Sequence, residues 1–235
     1  MALPASCPQR VVEGPQRRSK ISLLPPVLVA IVGGSGAGKT WLARRLEAAL
    51  APQVALLSLD DFYRDLSHLS FAQRERVNFD HPRAIDWRCL ERVLRDLLAS
   101  RVTRIPRYDF STHCRRPESI EWQPKPVVVI EGLWLLRRST VRRLFARRLY
   151  IECPAGSRLK RRVRRDMAER GRSRASVEQQ FREEVAPMHD RYVAPQARWA
   201  DVILNSPISL KVVARLADEL RAPASEHPER GSPPT

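Results

Sequence analysis

A glycine-rich segment carries residue types whose spacing suits phosphate binding. The run from Gly33 to Thr40 fits the pattern G-x-x-x-x-G-K-[ST] in full. Its glycines let the backbone wrap closely and point N–H groups at phosphate oxygens. Lys39 would reach the β- and γ-phosphates, and the Thr40 hydroxyl would bind Mg²⁺. The segment therefore predicts a nucleotide-binding P-loop made of Gly33, Gly34, Ser35, Gly36, Ala37, Gly38, Lys39 and Thr40.

Two carboxylates follow apolar runs elsewhere in the chain. Asp60 comes after the run 54–59, and Glu131 comes after the run 127–130. Asp60 could accept the proton of an attacking hydroxyl or hold Mg²⁺, and it could equally cap the segment that follows it. The residues alone leave these roles open. They also leave the reaction open, because kinases, GTPases, helicases and transporters all use P-loops.

These residues must be positioned by a sheet, because short apolar runs alternate with amphipathic segments along the chain. Strands are predicted at 27–32, 54–59, 127–130, 149–151 and 202–204. Helices are predicted at 39–50, 86–100, 157–169, 176–193 and 209–220. Such alternation produces a parallel sheet covered by helices on both faces, with ligands at the carboxyl ends of the strands. The predicted fold class is therefore α/β, of the P-loop NTPase type.

The composition indicates one basic domain. The 235 residues include 42 Lys and Arg against 26 Asp and Glu, a formal charge of +16, which suits a partner rich in phosphate. The four cysteines are scattered, which argues against a zinc site or a disulfide framework. No apolar run could span a membrane and no export signal is visible, so we expect a cytoplasmic protein. We expect flexible tails at 1–19 and 222–235 around a domain at 20–221.

Further blocks follow one another in a specific order. They are D-D-F-Y at 60–63, N-F-D-H-P-R-A-I-D at 78–86, I-P-R-Y-D-F-S-T-H at 105–113, V-V-V-I-E-G at 127–132, R-R-V-R-R-D at 161–166 and E-R-G-R at 169–172. In order and approximate spacing they resemble the uridine/cytidine kinase family of P-loop kinases over about residues 27–220. The blocks at 78–86 and 105–113 are not general P-loop features, so the resemblance is specific.

The resemblance implies phosphate transfer from ATP or GTP to the 5′-hydroxyl of uridine or cytidine, giving the monophosphate. Asp60 would take the hydroxyl proton, Lys39 would hold the phosphates, and Arg165 and Arg170 would clamp them during transfer. The implied Mg²⁺ ligands are Thr40, Glu131 and Asp60. Family members often form tetramers, so a homo-oligomer is implied as well.

The resemblance also implies an arginine-rich lid and a small hairpin at the acceptor site. Asp80, Arg162 and Gln180 would bind the ribose hydroxyls, while other side chains would contact the pyrimidine. The full set of implied acceptor-binding residues is Tyr63, Phe79, Asp80, Tyr108, His113, Arg162, Arg172 and Gln180. The family usually has Ser and Asp where this chain has Asp61 and Arg83, and we expect Asp61 to point away from Asp60.

Other functions remain open from the residues. One is a related P-loop kinase that acts on another ribosyl or sugar-phosphate hydroxyl, although the block at 105–113 favours an acceptor that carries a base. Another is a P-loop protein that binds nucleic acid, which would need basic residues interleaved with stacking aromatics. Aromatic residues make up only 6% of the chain, which disfavours a nucleic-acid partner. A GTPase switch would need guanine-reading signatures that are not visible.

Charged and titratable residues outside the blocks give two further expectations. Arg158, Arg162 and Arg165 fall on one helical face, and without nearby acids their mutual repulsion would favour binding of an anion. His68 and His189 have no partner pattern, so we expect both to lie at the surface.

Overall fold

A parallel sheet forms the centre of the computed structural model, which describes residues 25–221. In chain order the strands are β1 (Val27–Gly33), β2 (Val54–Ser58), β3 (Thr103–Ile105), β4 (Tyr108–Asp109), β5 (Cys114–Arg115), β6 (Ile120–Trp122), β7 (Val127–Gly132), β8 (Arg147–Glu152) and β9 (Val202–Asn205). The central sheet has the order β2-β7-β1-β8-β9, and every pairing in it is parallel. The predicted parallel sheet is therefore confirmed.

Helices flank this sheet. In chain order they are α1 (Lys39–Leu50), α2 (Phe71–Glu75), α3 (Trp87–Leu98), α4 (Ser139–Arg142), α5 (Ala155–Arg170), α6 (Arg174–Gln180), α7 (Ala186–Met188) and α8 (Leu210–Arg221). Helix α1 has the predicted bounds, and Asp86 caps α3 by accepting a hydrogen bond from the Cys89 N–H at 3.0 Å. None of the helices within 25–221 is both long enough and apolar enough to cross a membrane.

The central strand β1 is buried on both faces. Val29 and Ile31 pack into a core shared with α1 and α8, while Leu28, Ala30 and Val32 pack into a second core that includes α3. Alternate residues of a strand point to opposite faces, so a strand this apolar must be covered on both sides. The fold class predicted from the sequence is confirmed in this respect too.

Each long connection between strands carries one part of the candidate site. The β1–β2 connection contains the segment 33–40 and α1, and the β8–β9 connection contains α5, α6 and α7. The β2–β7 connection, 59–126, contains α2, α3 and two small antiparallel pairs, β3–β6 and β4–β5. Because the strands are parallel, the carboxyl ends of β1, β2 and β7 meet at one edge of the sheet.

Two differences from the predicted elements bear on the site. Strand β2 stops at Ser58, and Asp60 lies in a 3₁₀ turn (Leu59–Phe62), because the Ser58 hydroxyl accepts the Asp60 N–H at 3.3 Å and draws the chain into a turn. The helix predicted at 176–193 contains two π turns, Phe181–Val185 and His189–Val193. Pro187 lies between them and lacks the N–H that a regular helix needs. The predicted tails and residues 20–24 lie outside the described residues.

Candidate functional site

The segment 33–40 forms a tight loop between β1 and α1. Gly36 and Gly38 have φ angles of 80° and 105°, which residues with side chains rarely adopt. Within the described residues no side chain caps the N-terminus of α1, and its first turn carries no acidic residue. The N–H groups of that turn, with the positive end of the helix dipole, therefore suit an anionic ligand. The loop has the backbone geometry that a phosphate cradle requires.

Lys39 lies within this loop. Its Nζ atom donates a hydrogen bond to the Gly34 carbonyl oxygen at 3.2 Å. Burial lowers the pKa of Lys39, while the charges of Glu131 and Asp60 act in the opposite direction. The ammonium group is thus held between the loop backbone and two carboxylates at the edge of the sheet.

Thr40 and Glu131 meet at the end of β7. The Thr40 hydroxyl donates to Oε1 of Glu131 at 3.2 Å, and the Ser58 hydroxyl lies 3.5 Å from the same oxygen as a second donor. Ser58 is the register partner of Glu131 across the β2–β7 pair. The sequence analysis missed Ser58, because a serine at the end of a strand belongs to no motif. Its role becomes visible only when the two strands are known to be neighbours.

The donor set at this edge fits Mg²⁺. Hydroxyl and carboxylate oxygens are the hard ligands that Mg²⁺ prefers, and the ion usually keeps water and phosphate oxygens in its shell. Thr40 and Glu131 supply two such groups, and Asp60 is close enough for its charge to interact with that of Glu131. Among residues 25–221 no group of three or more His, Cys, Asp or Glu could hold a metal. Further ligands would therefore have to come from a nucleotide and solvent.

Asp60 is close to Lys39 and Glu131 on one side and to Tyr63 on the other. Burial and the charge of Glu131 raise the pKa of Asp60 to about 6, against the opposing charge of Lys39. On the other side, the charges of Asp60 and Asp80 add to burial in raising the pKa of Tyr63. A carboxyl group that titrates near neutral pH is well suited to act as a general base.

Three arginines of α5 surround one buried carboxylate. Asp166 is 0% exposed and forms ion pairs with Arg165 at 2.8 Å, Arg162 at 3.4 Å and Arg170 at 3.7 Å. The expectation that this helical face has no acid nearby was therefore wrong. Asp166 is four residues from both Arg162 and Arg170, which places all three side chains together on the helix surface.

A polar network joins α5 and α6, the part of the chain that we call the lid. It consists of Arg162, Arg172 and Gln180. Arg162 donates to the Ser35 hydroxyl at 3.0 Å and, through its other terminal nitrogen, to Oε1 of Gln180 at 3.0 Å. Arg172 donates to the same Gln180 oxygen at 2.5 Å. Burial raises the pKa of Asp80, and the charge of Arg162 opposes that shift. The structure brings these four predicted acceptor-binding residues together, and their contact with a ribose stays a prediction.

Arg161 is a further lid residue to which the sequence analysis assigned no role. Its Nη1 atom lies 3.2 Å from the Gly36 carbonyl oxygen and 2.9 Å from the Ser206 hydroxyl, and it donates to both. The motif at 161–166 includes Arg161 but does not indicate which of its arginines faces the P-loop. Arg161 thus connects helix α5 to the P-loop through hydrogen bonds.

The predicted acceptor-binding aromatics form one cluster. The Phe79 and His113 rings are stacked, with centroids 4.8 Å apart and planes 15° apart. The Tyr63 ring lies 5.5 Å from Phe79 and 5.1 Å from Tyr108. Phe110, which the sequence analysis did not single out, packs edge-on against Tyr63 and Tyr108. The cluster offers an apolar, aromatic wall of the kind that binds a planar ring.

Three polar side chains anchor this cluster. The Tyr63 hydroxyl donates to the Phe79 carbonyl oxygen at 3.1 Å. Arg115, on β5, donates through Nε to the Tyr63 carbonyl oxygen at 2.8 Å. Asp61 accepts the Tyr108 N–H at 3.4 Å, so its carboxylate faces the β4–β5 hairpin. The Asp61 side chain is thus used to position the hairpin, which agrees with the expectation that it points away from Asp60.

His189 differs from the expectation that it lies at the surface. Its Nδ1 atom is buried, and a methyl group added to Gly34 would come within 2.8 Å of it. The prediction was wrong because the helical segment that carries His189 packs against the P-loop, a tertiary contact that no local pattern indicates. His68, by contrast, is exposed as expected.

Known proteins are similar to this chain in sequence and in fold. A uridine kinase of Halobacterium salinarum is 35% identical over 203 residues, which cover 86% of this chain and 90% of that protein. A uridine kinase of Chloroflexus aggregans is 39% identical over 205 residues, covering 85% and 98%. The structure of phosphoribulokinase from Rhodobacter spheroides is similar with a TM-score of 0.58 at 15% identity, covering 77% of this chain and 70% of that one.

The fold and the site define a P-loop kinase, with a phosphate cradle, an arginine-rich lid and a separate acceptor side. The profile of the Phosphoribulokinase / Uridine kinase family matches residues 28–212. The chain therefore belongs to the Phosphoribulokinase / Uridine kinase family.

Proposed function

We propose that this protein transfers the γ-phosphoryl group of ATP, or of GTP, to the 5′-hydroxyl of uridine or cytidine and so serves pyrimidine salvage. The relatives named uridine kinase match nearly their whole length. The resemblance of the blocks at 78–86 and 105–113 points to the same acceptor class.

The position of Asp60 is the observation that supports this proposal most. Its carboxylate interacts with Lys39 and Glu131 on the phosphate side and with Tyr63 on the acceptor side. Phosphoryl transfer needs an acceptor hydroxyl aligned with the phosphate and a group that receives its proton. The acceptor hydroxyl would donate to Asp60, which takes the proton as the oxygen attacks the γ-phosphorus. The bond from that phosphorus to the β–γ bridging oxygen breaks, and the nucleoside diphosphate leaves.

Charge stabilisation is assigned to the P-loop and the lid. Lys39 and the N–H groups at the start of α1 would hold the phosphates, and Mg²⁺ bound at Thr40 and Glu131 would neutralise charge there. Arg165 and Arg170 would break their ion pairs with Asp166 and turn towards the γ-phosphoryl group. Preorganised positive charge of this kind is the main contribution a protein makes to phosphoryl transfer.

The acceptor residues are assigned by chemistry. Asp80 would accept hydrogen bonds from the ribose hydroxyls, because a carboxylate has two acceptor oxygens, and Arg162 and Gln180 would complete that contact. Phe79 would line the base pocket, with Tyr108, His113 and Arg172 at its edge. Assembly into a homo-oligomer stays a prediction from the resemblance.

The test is a panel of acceptors. Transfer from Mg·ATP and Mg·GTP is measured to uridine, cytidine, adenosine, thymidine, ribose and a pentose phosphate. We expect turnover on uridine or cytidine, reduced about 10²- to 10⁴-fold by Asp60→Asn. Asp61→Asn is the matched control, because it removes the neighbouring carboxylate that faces the hairpin, and it should change the rate less than tenfold.

A second outcome would redirect the proposal. Preferential turnover of the pentose phosphate would identify a sugar-phosphate kinase, the alternative that the family name also covers. Full activity of Asp60→Asn on uridine would contradict the role of Asp60 as the base.

The pH dependence tests the same role. Asp60 must be ionised to accept a proton, and its pKa is raised to about 6. The value of kcat/KM should therefore fall as the pH is lowered through about 6. Asp61→Asn should keep this fall and move it slightly to lower pH, because the charge of Asp61 contributes to the raised pKa of Asp60. A flat profile between pH 5 and pH 8 would remove Asp60 from the proton transfer step.

A further inference from the structure

Arg158 is a buried arginine on α5 that the proposed reaction does not use. It is 3% exposed, and its Nε atom donates to the Cys153 carbonyl oxygen at 3.2 Å. Its guanidinium group lies 5.5 Å from the centre of the Phe181 ring. Its Nη1 atom is buried and has no hydrogen-bond partner among residues 25–221. A charged donor left unpaired in the interior is costly, so this atom calls for an explanation.

His189 presents the complementary atom at the same place. Its Nδ1 is buried and is likewise without a partner in the described part of the chain. A methyl group added to Gly34 would meet Arg158 Nη1 at 2.8 Å and His189 Nδ1 at 2.8 Å. The two atoms therefore lie close together against one residue of the P-loop, and a side chain added at Gly34 would have to displace them.

The chemistry of the two groups makes them a donor and an acceptor. Arginine has only donors, whereas a neutral imidazole with its proton on Nε2 accepts at Nδ1. Burial and the charge of Arg158 lower the pKa of His189 to about 4, so the ring is neutral at physiological pH. Small rotations of the two side chains would satisfy both atoms at once.

We propose that Arg158 and His189 are a positioning pair, Arg158 Nη1 donating to His189 Nδ1, that braces the P-loop at Gly34 and thereby strengthens nucleoside triphosphate binding. Gly34 is the residue whose carbonyl oxygen accepts the hydrogen bond from Lys39. A shift of Gly34 would therefore move the ammonium group that reaches the phosphates. The pair lies against the loop at Gly34, and its proposed role needs no contact with substrate.

This inference rests on the nucleotide site of the proposed function and not on the identity of the acceptor. The test is accordingly made without an acceptor. The dissociation constant of Mg·ATP is measured by titration calorimetry for the full chain, for Arg158→Met, for His189→Phe and for the double variant. Methionine keeps the arginine stem and phenylalanine keeps the ring, so the packing around Gly34 is disturbed as little as the chain allows.

We expect each single variant to weaken Mg·ATP binding roughly tenfold, and the double variant to be no weaker than either one, because the first substitution already breaks the pair. His189→Asn places an amide oxygen near the Nδ1 position and should bind within about threefold of the full chain. Arg164→Met and His68→Phe remove exposed residues of the same types and should bind Mg·ATP like the unaltered protein.

Three results would overturn the proposal. The first is a double variant whose loss is the product of the two single losses, which would mean that the residues act independently. The second is a His189→Asn protein as weak as His189→Phe. The third is unchanged Mg·ATP binding in every variant with only a lower melting temperature, which would make the pair a packing feature. Failure of the nucleoside panel would leave these binding results unaffected.

Discussion

The phosphate cradle is held by backbone and charge, whereas the acceptor side is a cluster of aromatic rings. In the cradle Lys39 and Thr40 are bonded to fixed partners at 3.2 Å, and the glycine conformations set the loop. On the acceptor side Phe79 and His113 stack on each other at 4.8 Å. One region is polar and is set by backbone conformation, and the other consists of aromatic rings that pack against one another.

The difference indicates that the two regions meet different demands. A phosphate chain has the same geometry in every nucleotide, so one short, preorganised loop can bind it. An acceptor is recognised by the shape and edge of its ring, which requires side chains gathered from distant parts of the chain. The two regions should therefore respond to substitution in separable ways.

The largest effect should follow from changing the cradle. Lys39→Met removes the ammonium group while keeping an unbranched side chain, and we expect kcat to fall about 10²- to 10³-fold. The factor should be the same for every nucleoside that the enzyme accepts. Initial-rate kinetics on uridine and cytidine measure this. Lys160→Met, which removes an exposed lysine of α5, serves as the control. A loss that differs between the two nucleosides would show that the regions are not separable.

A smaller and more selective effect should follow from changing the acceptor side. Phe79→Ala removes the ring that stacks on His113, and we expect the KM for the nucleoside to rise about 10- to 100-fold, since a base–aromatic contact is worth about 1–3 kcal/mol. The KM for Mg·ATP should stay within about twofold. Leu210→Ala is the control, because it removes an apolar side chain that is 63% exposed on α8, outside the aromatic cluster. An equal change in both KM values would contradict the division of the site.

The smallest effect concerns stability. The pKa of Asp60 is raised from 3.8 to about 6, so the ionised carboxylate opposes folding, and the stability present at low pH is lost as the pH rises through about 6. Asp60→Asn should therefore raise the melting temperature by roughly 2–4 °C at pH 7.5, and the gain should vanish near pH 4. Calorimetric scans at both values measure this. A variant less stable at pH 7.5 would place Asp60 among the groups that hold the fold together.

The position of the loop at 33–40 and the bounds of α1 could be predicted because the information for them is local. The motif at 33–40 lies between an apolar strand and an amphipathic helix, and helix α1 has the predicted bounds. The predicted acceptor residues could be named only through the resemblance, because Tyr63, Phe79 and Tyr108 are far apart in sequence and no periodicity links them.

Other features were not predictable from one sequence. The contact of Ser58 with Glu131 depends on the order of the strands, which local patterns do not give. The buried position of Asp166 depends on which face of α5 is covered, and that helix is too rich in arginine for apolar spacing to show it. The contact of His189 with Gly34 joins two connections that are distant in the chain, so only the fold reveals it.

The division of the chain into connections has a consequence for how such enzymes diversify. The phosphate loop lies between β1 and β2, the lid between β8 and β9, and the aromatic cluster entirely between β2 and β7. Residues 59–126 begin at the carboxyl end of β2 and end at the amino end of the neighbouring strand β7, because the two strands are parallel. Changes in this stretch beyond Asp60 leave the paired strands in register, so that acceptor choice can change while Asp60, the phosphate loop and the lid are kept.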